Sequence, residues 1–311
     1  MPEIKNIEDL SKITGLASNS ISSLIYEESG RYRKHYITKK SGGLREISAP
    51  LPNLLLIQKA INRHLLSKVE IHKSAVGFRE DHSIVDHVKP HLGQRKFAKF
   101  DVKSCFDSIG YASVFNVYNK ITKDKSFCFA LTKLSVHEGK IPMGAATSPS
   151  LCNVVLKSMD ERIFGICESL DLNYTRYADD ILVSGDKLNL SLFHKIIKYM
   201  EECGFKTNEK SRFIENPQRL VVCGLSISGD KIRVPKHKKR EWRKETHFVV
   251  KNSVELESSL SGYIDPFYID RLLGRLNFWR FAEPDAEFPR VNIPLVRKMI
   301  AHLMTGQAPN Q

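Results

Sequence analysis

Residues Thr175 to Gly185, TRYADDILVSG, set two adjacent carboxylates between an aromatic residue and an apolar run. Neighbouring like charges repel, and a half-buried strand is a poor place for them unless a cation neutralises both. A tight turn between two short strands resolves the conflict, because Asp179 and Asp180 can then both reach a point beyond the sheet edge. An ordinary solvated Asp-Asp turn satisfies the same local pattern, so the pair constrains the fold to a hairpin here without yet assigning a role.

The surrounding chain supplies the layers. KFAKFDV from Lys96 is strand-like, and Asn173 to Val183 reads as two short β runs joined at Ala178-Asp179-Asp180. HYITKKSGGLREISAP alternates apolar and polar residues around Ser41-Gly42-Gly43, a hairpin pattern. Leu54, Ile57, Ile61 and Leu65 recur at helical spacing with Asn53 as an expected polar cap. Leu151, Val155 and Met159 follow Ser148-Pro149, whose proline suits a helix start, and Phe193, Ile196, Ile197 and Met200 mark another helix that Gly204 stops. Strand, helix, hairpin, helix, strand is an α+β order, with an antiparallel sheet backed by helices. After Lys231 the chain turns strongly basic (KIRVPKHKKREWRK) and then Leu- and aromatic-rich (RLLGRLNFWRF), which predicts a separate helical lobe.

Lys and Arg outnumber Asp and Glu by 48 to 35 in 311 residues, a balance that favours a polyanionic partner. Neither a membrane-spanning apolar run nor a basic-then-apolar leader is visible, so a cytoplasmic location is expected. The six cysteines are scattered without paired spacing and read as reduced core thiols.

Asp101, at the end of KFAKFDV, is a third acid that a neighbouring strand could carry to the Asp179-Asp180 turn. Three such carboxylates make an oxygen-rich site for two hard divalent cations, the arrangement that clamps attacking and leaving oxygens in phosphoryl transfer. Asp107 lies beyond the strand end and reads as structural. GKIPMGAATSPSLCN is a small-residue turn leading into a helix, which lets backbone approach a nucleotide or base. Lys40, Arg45, Arg79 and Lys210 stand where a triphosphate needs cations, although each alone is an ordinary surface charge.

The order of these motifs resembles the bacterial reverse transcriptases, in the retron and group II intron-like branch. The matching stretches are SGGLREISAP and AVGFREDHSI, FDVKSCF, PMGAATSP, RYADD, GFKTNEKS, LVVCGLSIS and GRLNFWRF, covering roughly residues 25 to 285. The resemblance implies a right-hand polymerase with fingers in about residues 1–95, palm in 96–235 and thumb in 236–311. It implies two Mg2+ ions held by Asp101, Asp179, Asp180 and the Val102 carbonyl, with Lys210 protonating the leaving pyrophosphate. Lys40, Arg45, Arg79 and Gly144 would bind the incoming nucleotide, and Phe106 would exclude a ribose 2′-hydroxyl. The basic segment and the Trp279 helix would hold RNA through Lys236, Lys238, Lys239, Arg240, Trp242, Arg243 and Trp279.

The implied partners are a cognate structured non-coding RNA as template and primer, its DNA product, deoxynucleoside triphosphates and a separately encoded effector protein. The implied reaction starts from an internal 2′-hydroxyl and leaves a branched RNA–DNA hybrid, in an antiphage setting. Three departures stand out: Pro142-Met143-Gly144 replaces Pro-Gln-Gly, HVKPH replaces Asn-Ala-x-x-His, and Val222-Cys223-Gly224 replaces Val-Thr-Gly. Three other readings stay open. One is another defence-associated or intron-type reverse transcriptase, including an untemplated one. A second is a non-catalytic RNA-binding scaffold whose Tyr32, Tyr36, Trp242 and Trp279 stack on bases. The third is zinc chemistry at His82, His87 and His91, opposed by Pro90 and the lack of an HExxH glutamate. Polar or RNA-contacting histidines are the simpler expectation there.

Overall fold

The computed structural model describes residues 4–27, 29–39, 42–251 and 267–305. They form two compact units, residues 1–90 with 94–216, and residues 91–93 with 217–311.

The first unit opens with helices α1 (Ile7–Thr14) and α2 (Ser18–Tyr26) and the hairpin β1 (Tyr32–Thr38) and β2 (Leu44–Pro50). Helix α3 (Pro52–His64) starts one residue earlier than its expected cap. Pro52 occupies the first turn, where its fixed φ is already helical and its missing N–H is not needed, so Asn53 is not the cap. The short α4 (Ile84–Val88) is closed by a reciprocal capping box between Ser83 and Asp86. Then come β3 (Lys96–Asp101), α5 (Tyr111–Thr122), α6 (Lys125–Ser135), α7 (Ser148–Ser169), β4 (Asn173–Tyr177), β5 (Asp180–Ser184), α8 (Leu190–Glu202) and β6 (Arg212–Glu215). Gly204 ends the α8 region in the left-handed conformation (φ 85°), which glycine adopts without a Cβ clash.

The strands assemble in the order β4-β5-β3-β6, antiparallel throughout. Period-2 alternation sends Ala98, Phe100, Tyr174, Ile181 and Val183 into one continuous core with α3 and α5 to α8. Phe100 stacks on Phe193 of α8 at 5.0 Å between ring centroids. This rigid plate fixes the strand ends that carry the acids.

The second unit begins with a meander, β7 (Leu220–Val222), β8 (Leu225–Ser228) and β9 (Lys231–Arg233). Cys223 and Gly224, both with positive φ, make the tight β7–β8 turn that two-residue hairpins favour. Helices α9 (Lys236–Lys251), α10 (Tyr268–Ala282) and α11 (Glu287–Thr305) follow. The basic run Lys231 to Lys244 is therefore not wholly helical: its first three residues are strand β9, and Pro235 precedes the helix. All six cysteines are free thiols, four of them buried. Among the described residues no helix is long and apolar enough to cross a membrane.

Candidate active site

Asp101 is the last residue of β3 and lies directly opposite Asp180, the first residue of β5. The Val102 N–H donates to the Asp179 carbonyl at 3.0 Å, so all three acids share one end of the sheet. Opposed residues of an antiparallel pair are about 4.5–5.5 Å apart at Cα. The GFKTNEKS segment runs beside the end of β3: the Lys103 N–H donates to the Lys206 carbonyl at 2.8 Å and the Asn208 N–H to the Asp101 carbonyl at 3.0 Å. The Asn208 amide donates to Asp101 Oδ1, and the Asp101 N–H donates to Ser211 Oγ at 3.2 Å.

Burial raises the Asp101 pKa, and repulsion from Asp179 and Asp180 raises it further, against the pull of Lys210 and Lys99. Asp179 keeps an exposed edge, yet the protein around it desolvates its carboxyl and raises its pKa; Asp180 adds to the rise, while Arg45 and Lys210 oppose it. Lys99 Nζ sits 3.2 Å from Asp180 Oδ1. Arg45 and Lys210 are thus close enough to act electrostatically on these acids, although both are exposed.

Among the described residues no three His, Cys, Asp or Glu side chains are already gathered for a metal ion. Asp101 instead accepts from Asn208, and Asp180 pairs with Lys99. The donor set still fits hard divalent cations: it offers hard carboxylate oxygens on a fixed strand end, where burial and mutual repulsion make Asp101 and Asp179 reluctant to ionise alone. A cation would relieve that repulsion.

Beneath the turn lies a fully buried polar network. Arg176 on β4 binds Asp160 of α7 bidentately, at 2.8 Å through Nε and 2.7 Å through Nη2. Tyr174 donates to the same carboxylate at 2.5 Å. Arg176 Nη1 donates to the Asn153 side-chain oxygen at 3.0 Å and to the Ala178 carbonyl at 3.1 Å. Ala178 is left-handed (φ 57°), a conformation costing a non-glycine residue on the order of 1–3 kcal/mol unless its surroundings hold it. The Ala178 contact pins that strained residue one position before Asp179.

A loop from the N-terminal half braces the turn from the other side. The Arg176 N–H donates to the Ser74 carbonyl and the Val76 N–H to the Arg176 carbonyl, at 2.8 and 2.9 Å. Asn153 Nδ2 donates to the Gly77 carbonyl at 2.8 Å. A Cβ on Gly77 would meet the Ala178 nitrogen at 2.5 Å, so only glycine permits this approach.

The remaining expected residues divide. Phe106 is half-buried and meets Phe78 edge-on at 6.2 Å; Phe78 is itself left-handed (φ 58°) and exposed. Gly144 (φ 117°) presses on β2, where a Cβ would come within 2.8 Å of the Ser48 carbonyl, and the Ser48 N–H donates to the Met143 carbonyl at 2.8 Å. Arg79 is half-buried with no ion pair among the described residues, and Lys40 lies outside them. Asp107 makes an exposed pair with Lys140 at 2.6 Å.

In the second unit Lys236, Arg240 and Arg243 are exposed, and Lys238 and Lys239 are partly so. Trp242 and Trp279 contradict the expectation of RNA contact. They are only 6% and 2% exposed and form a core with Phe278 and Phe288, because a helical lobe this small needs its large aromatics inside. Arg243 instead covers the Trp279 and Phe288 rings at 5.3 and 5.4 Å. His87 and His91 are fully buried as well, and His87 Nδ1 is bonded to the Thr175 hydroxyl at 2.8 Å, so neither is a surface contact for RNA.

Sequence reasoning missed Lys99, Asn208, Phe78 and the Arg176–Asp160–Asn153 network. One signal was available for the network. Asn153 and Asp160 fall at helical spacing on the α7 stripe of Leu156, Ile163 and Cys167, and polar residues on an apolar stripe require buried partners.

Residues 37–249 match the reverse transcriptase (RNA-dependent DNA polymerase) family. The chain is 29% identical to the Retron Ec86 reverse transcriptase of Escherichia coli, over 80% of this chain and 79% of that protein. It is 30% identical to the Retron Ec73 reverse transcriptase of the same species, over 77% of this chain and 85% of that protein. A Myxococcus xanthus relative, the Retron Mx65 reverse transcriptase, is 28% identical over 73% of this chain, which spans 59% of the relative's length. Among solved structures, telomerase from Candida albicans aligns with a TM-score of 0.51 at 11% identity, covering 90% of this chain and 64% of that one, a likeness of fold alone.

Proposed function

The chain belongs to the reverse transcriptase family, in its retron-type branch, and from that premise we propose that it copies part of a cognate structured RNA into single-stranded DNA. Synthesis starts from an internal 2′-hydroxyl of that RNA, and the branched product serves antiphage defence with a separately encoded effector. The observation that carries the catalytic part is the pairing of Asp101 with Asp180, together with the Val102 N–H bond to Asp179.

Asp101, Asp179 and Asp180, with the Val102 carbonyl, would hold two Mg2+ ions. When bound, these ions supply activation of the attacking hydroxyl and charge stabilisation at the leaving phosphate. The chain's own groups do the rest. Asn208 and Lys99 orient Asp101 and Asp180. Lys210, near enough to Asp101 and Asp179 to lower their pKa values, is the proton donor to departing pyrophosphate. Arg45 attracts the triphosphate, with Lys40 and Arg79 assisting. Gly144 gives the base a close approach, and Phe106, backed by Phe78, narrows the space at the sugar so that deoxynucleotides are selected. We assign fingers, palm and thumb to about residues 1–95, 96–235 and 236–311, with Lys236, Lys238, Lys239, Arg240 and Arg243 as the RNA-facing cations.

The test is extension of a primed RNA template by the purified protein, with Mg2+ titrated, followed by sequencing of copurifying nucleic acid. A unique branched RNA–DNA hybrid supports the retron reaction. Random-sequence DNA would replace it with an untemplated one.

A further inference from the structure

Helix α3 buries Leu54, Ile57 and Ile61, and Gln58 stands beside them with none of its surface exposed. A wholly buried amide is tolerated only where its polar atoms find partners. Those of Gln58 are spread over three other segments. Nε2 donates to the Tyr32 hydroxyl at the start of β1 and to the Leu134 carbonyl near the end of α6, both at 2.8 Å, and Oε1 accepts from the Ala146 N–H at 3.1 Å. A carbonyl can only accept and a backbone N–H can only donate, so the amide fits in one orientation.

Each contact ends on something already held. The Tyr32 ring stacks on His137 at 4.3 Å between centroids. The buried Arg31 guanidinium donates to the Lys133 carbonyl at 2.9 Å and to the Leu24 carbonyl at 3.0 Å, which anchors the end of α6 beside Leu134. Ala146 belongs to the small-residue turn before α7, and the Ser48 N–H bond to the Met143 carbonyl ties the other end of that turn to β2. Gly144 and Ala145 are thus suspended between a bond to β2 and a bond to Gln58. A fully satisfied polar network of this kind specifies one arrangement of the pieces it joins, which an apolar side chain of equal volume would not do.

We propose that Gln58 is a positioning residue for the incoming nucleotide. Its amide sets the spacing between the β1–β2 hairpin, which carries Arg45, and the Met143 to Ala146 turn, which carries Gly144, and so sets nucleotide affinity from a site without solvent access. The proposal rests on the reading of Arg45 and Gly144 as nucleotide contacts of a polymerase, and it names the group that holds the two in register.

The experiment is steady-state extension of a primed RNA template by the full chain, with the deoxynucleotide titrated. Gln58→Met keeps the volume and removes all three bonds. KM for the deoxynucleotide should rise about tenfold while kcat per folded molecule stays within about twofold. A merely structural role reads differently: lost stability lowers the folded fraction, and with it the apparent kcat, but leaves KM where it was. Tyr32→Phe is the milder variant, since it keeps the stacked ring and removes one acceptor from Gln58; KM should rise about twofold to threefold. In the Gln58→Met background Tyr32→Phe should add nothing, because the hydroxyl acts through the amide. Equal KM in wild type and Gln58→Met, or additive effects in the double variant, overturns the assignment. Should Gln58→Met fail to fold, an unchanged KM in Tyr32→Phe overturns it alone. No extension by the wild type overturns the polymerase reading and the role of Gln58 with it, whereas wild-type extension with unchanged KM in the variants overturns the role of Gln58 only.

Discussion

The sheet end that carries the acids and the basic lobe that follows β9 use charge in opposite ways. Around the turn the charges are few and tightly specified: Arg176 and Asp160 are both inaccessible, and the hydrogen bonds that tie them to Tyr174, Asn153 and Ala178 run at 2.5–3.1 Å. On α9 the charges are many and mostly solvated, and the residues that fix the structure are the tryptophans beneath them. Position matters in the first region, where an ångström decides whether a cation can be held. In the second, the sum of charge matters more than any one side chain.

The contrast can be broken at its strongest point first. Asp179→Asn should lower DNA synthesis on the order of 10³-fold or more while leaving affinity for an RNA–DNA hybrid within about twofold, as read by primer extension and anisotropy. Retained synthesis would remove the acids from the chemistry. Asp160→Asn should cost about 3–5 kcal/mol in urea unfolding, because it leaves the buried Arg176 guanidinium without its counter-ion. Trp279→Ala should cost a comparable ~3–5 kcal/mol by the same measurement, as expected of a core aromatic. A stacking platform on the surface would instead lose RNA affinity at unchanged stability.

A pH series sharpens the first region further. Burial lowers the His87 pKa from 6.5 to about 4, so the folded protein resists a proton that the unfolded chain takes up. The stabilisation is complete above about pH 6.5 and is lost as the pH falls towards 4, a few kcal/mol across that window. In His87→Gln the urea midpoint should be flatter over the same range. The smallest effect belongs to the second region: Arg240→Ala, at an exposed position, should change stability by less than about 0.5 kcal/mol and flatten the salt dependence of RNA binding by about one phosphate.

How much of this was legible in the sequence follows the same divide. KFAKFDV and the TRYADDILVSG hairpin could be read because alternation and turn position are local signals, and the acids at their ends came with them. The Arg176–Asp160 pair could not: the apolar stripe of α7 marks Asp160 as needing a buried partner, but nothing local points to Arg176, 16 residues away on another element. Trp242 and Trp279 misled for a related reason: basic residues beside an aromatic suggest stacking on bases, and only the packing of α9, α10 and α11 shows the rings facing inward with Arg243 laid over them. The start of α3 at Pro52 was missed because a proline in the first turn and an asparagine cap offer competing signals one residue apart.

The contact between Gly77 and Ala178 limits how this protein can be recombined with its relatives. Ser74 to Phe78, Asn153 and Arg176 to Asp180 behave as one cassette: a chimera that imports the loop without the turn, or the reverse, introduces a mismatch where there is no room for a methyl group. Crossover points placed outside those three stretches should keep the acids aligned, which makes the cassette the natural unit for moving metal-site geometry between enzymes of this kind.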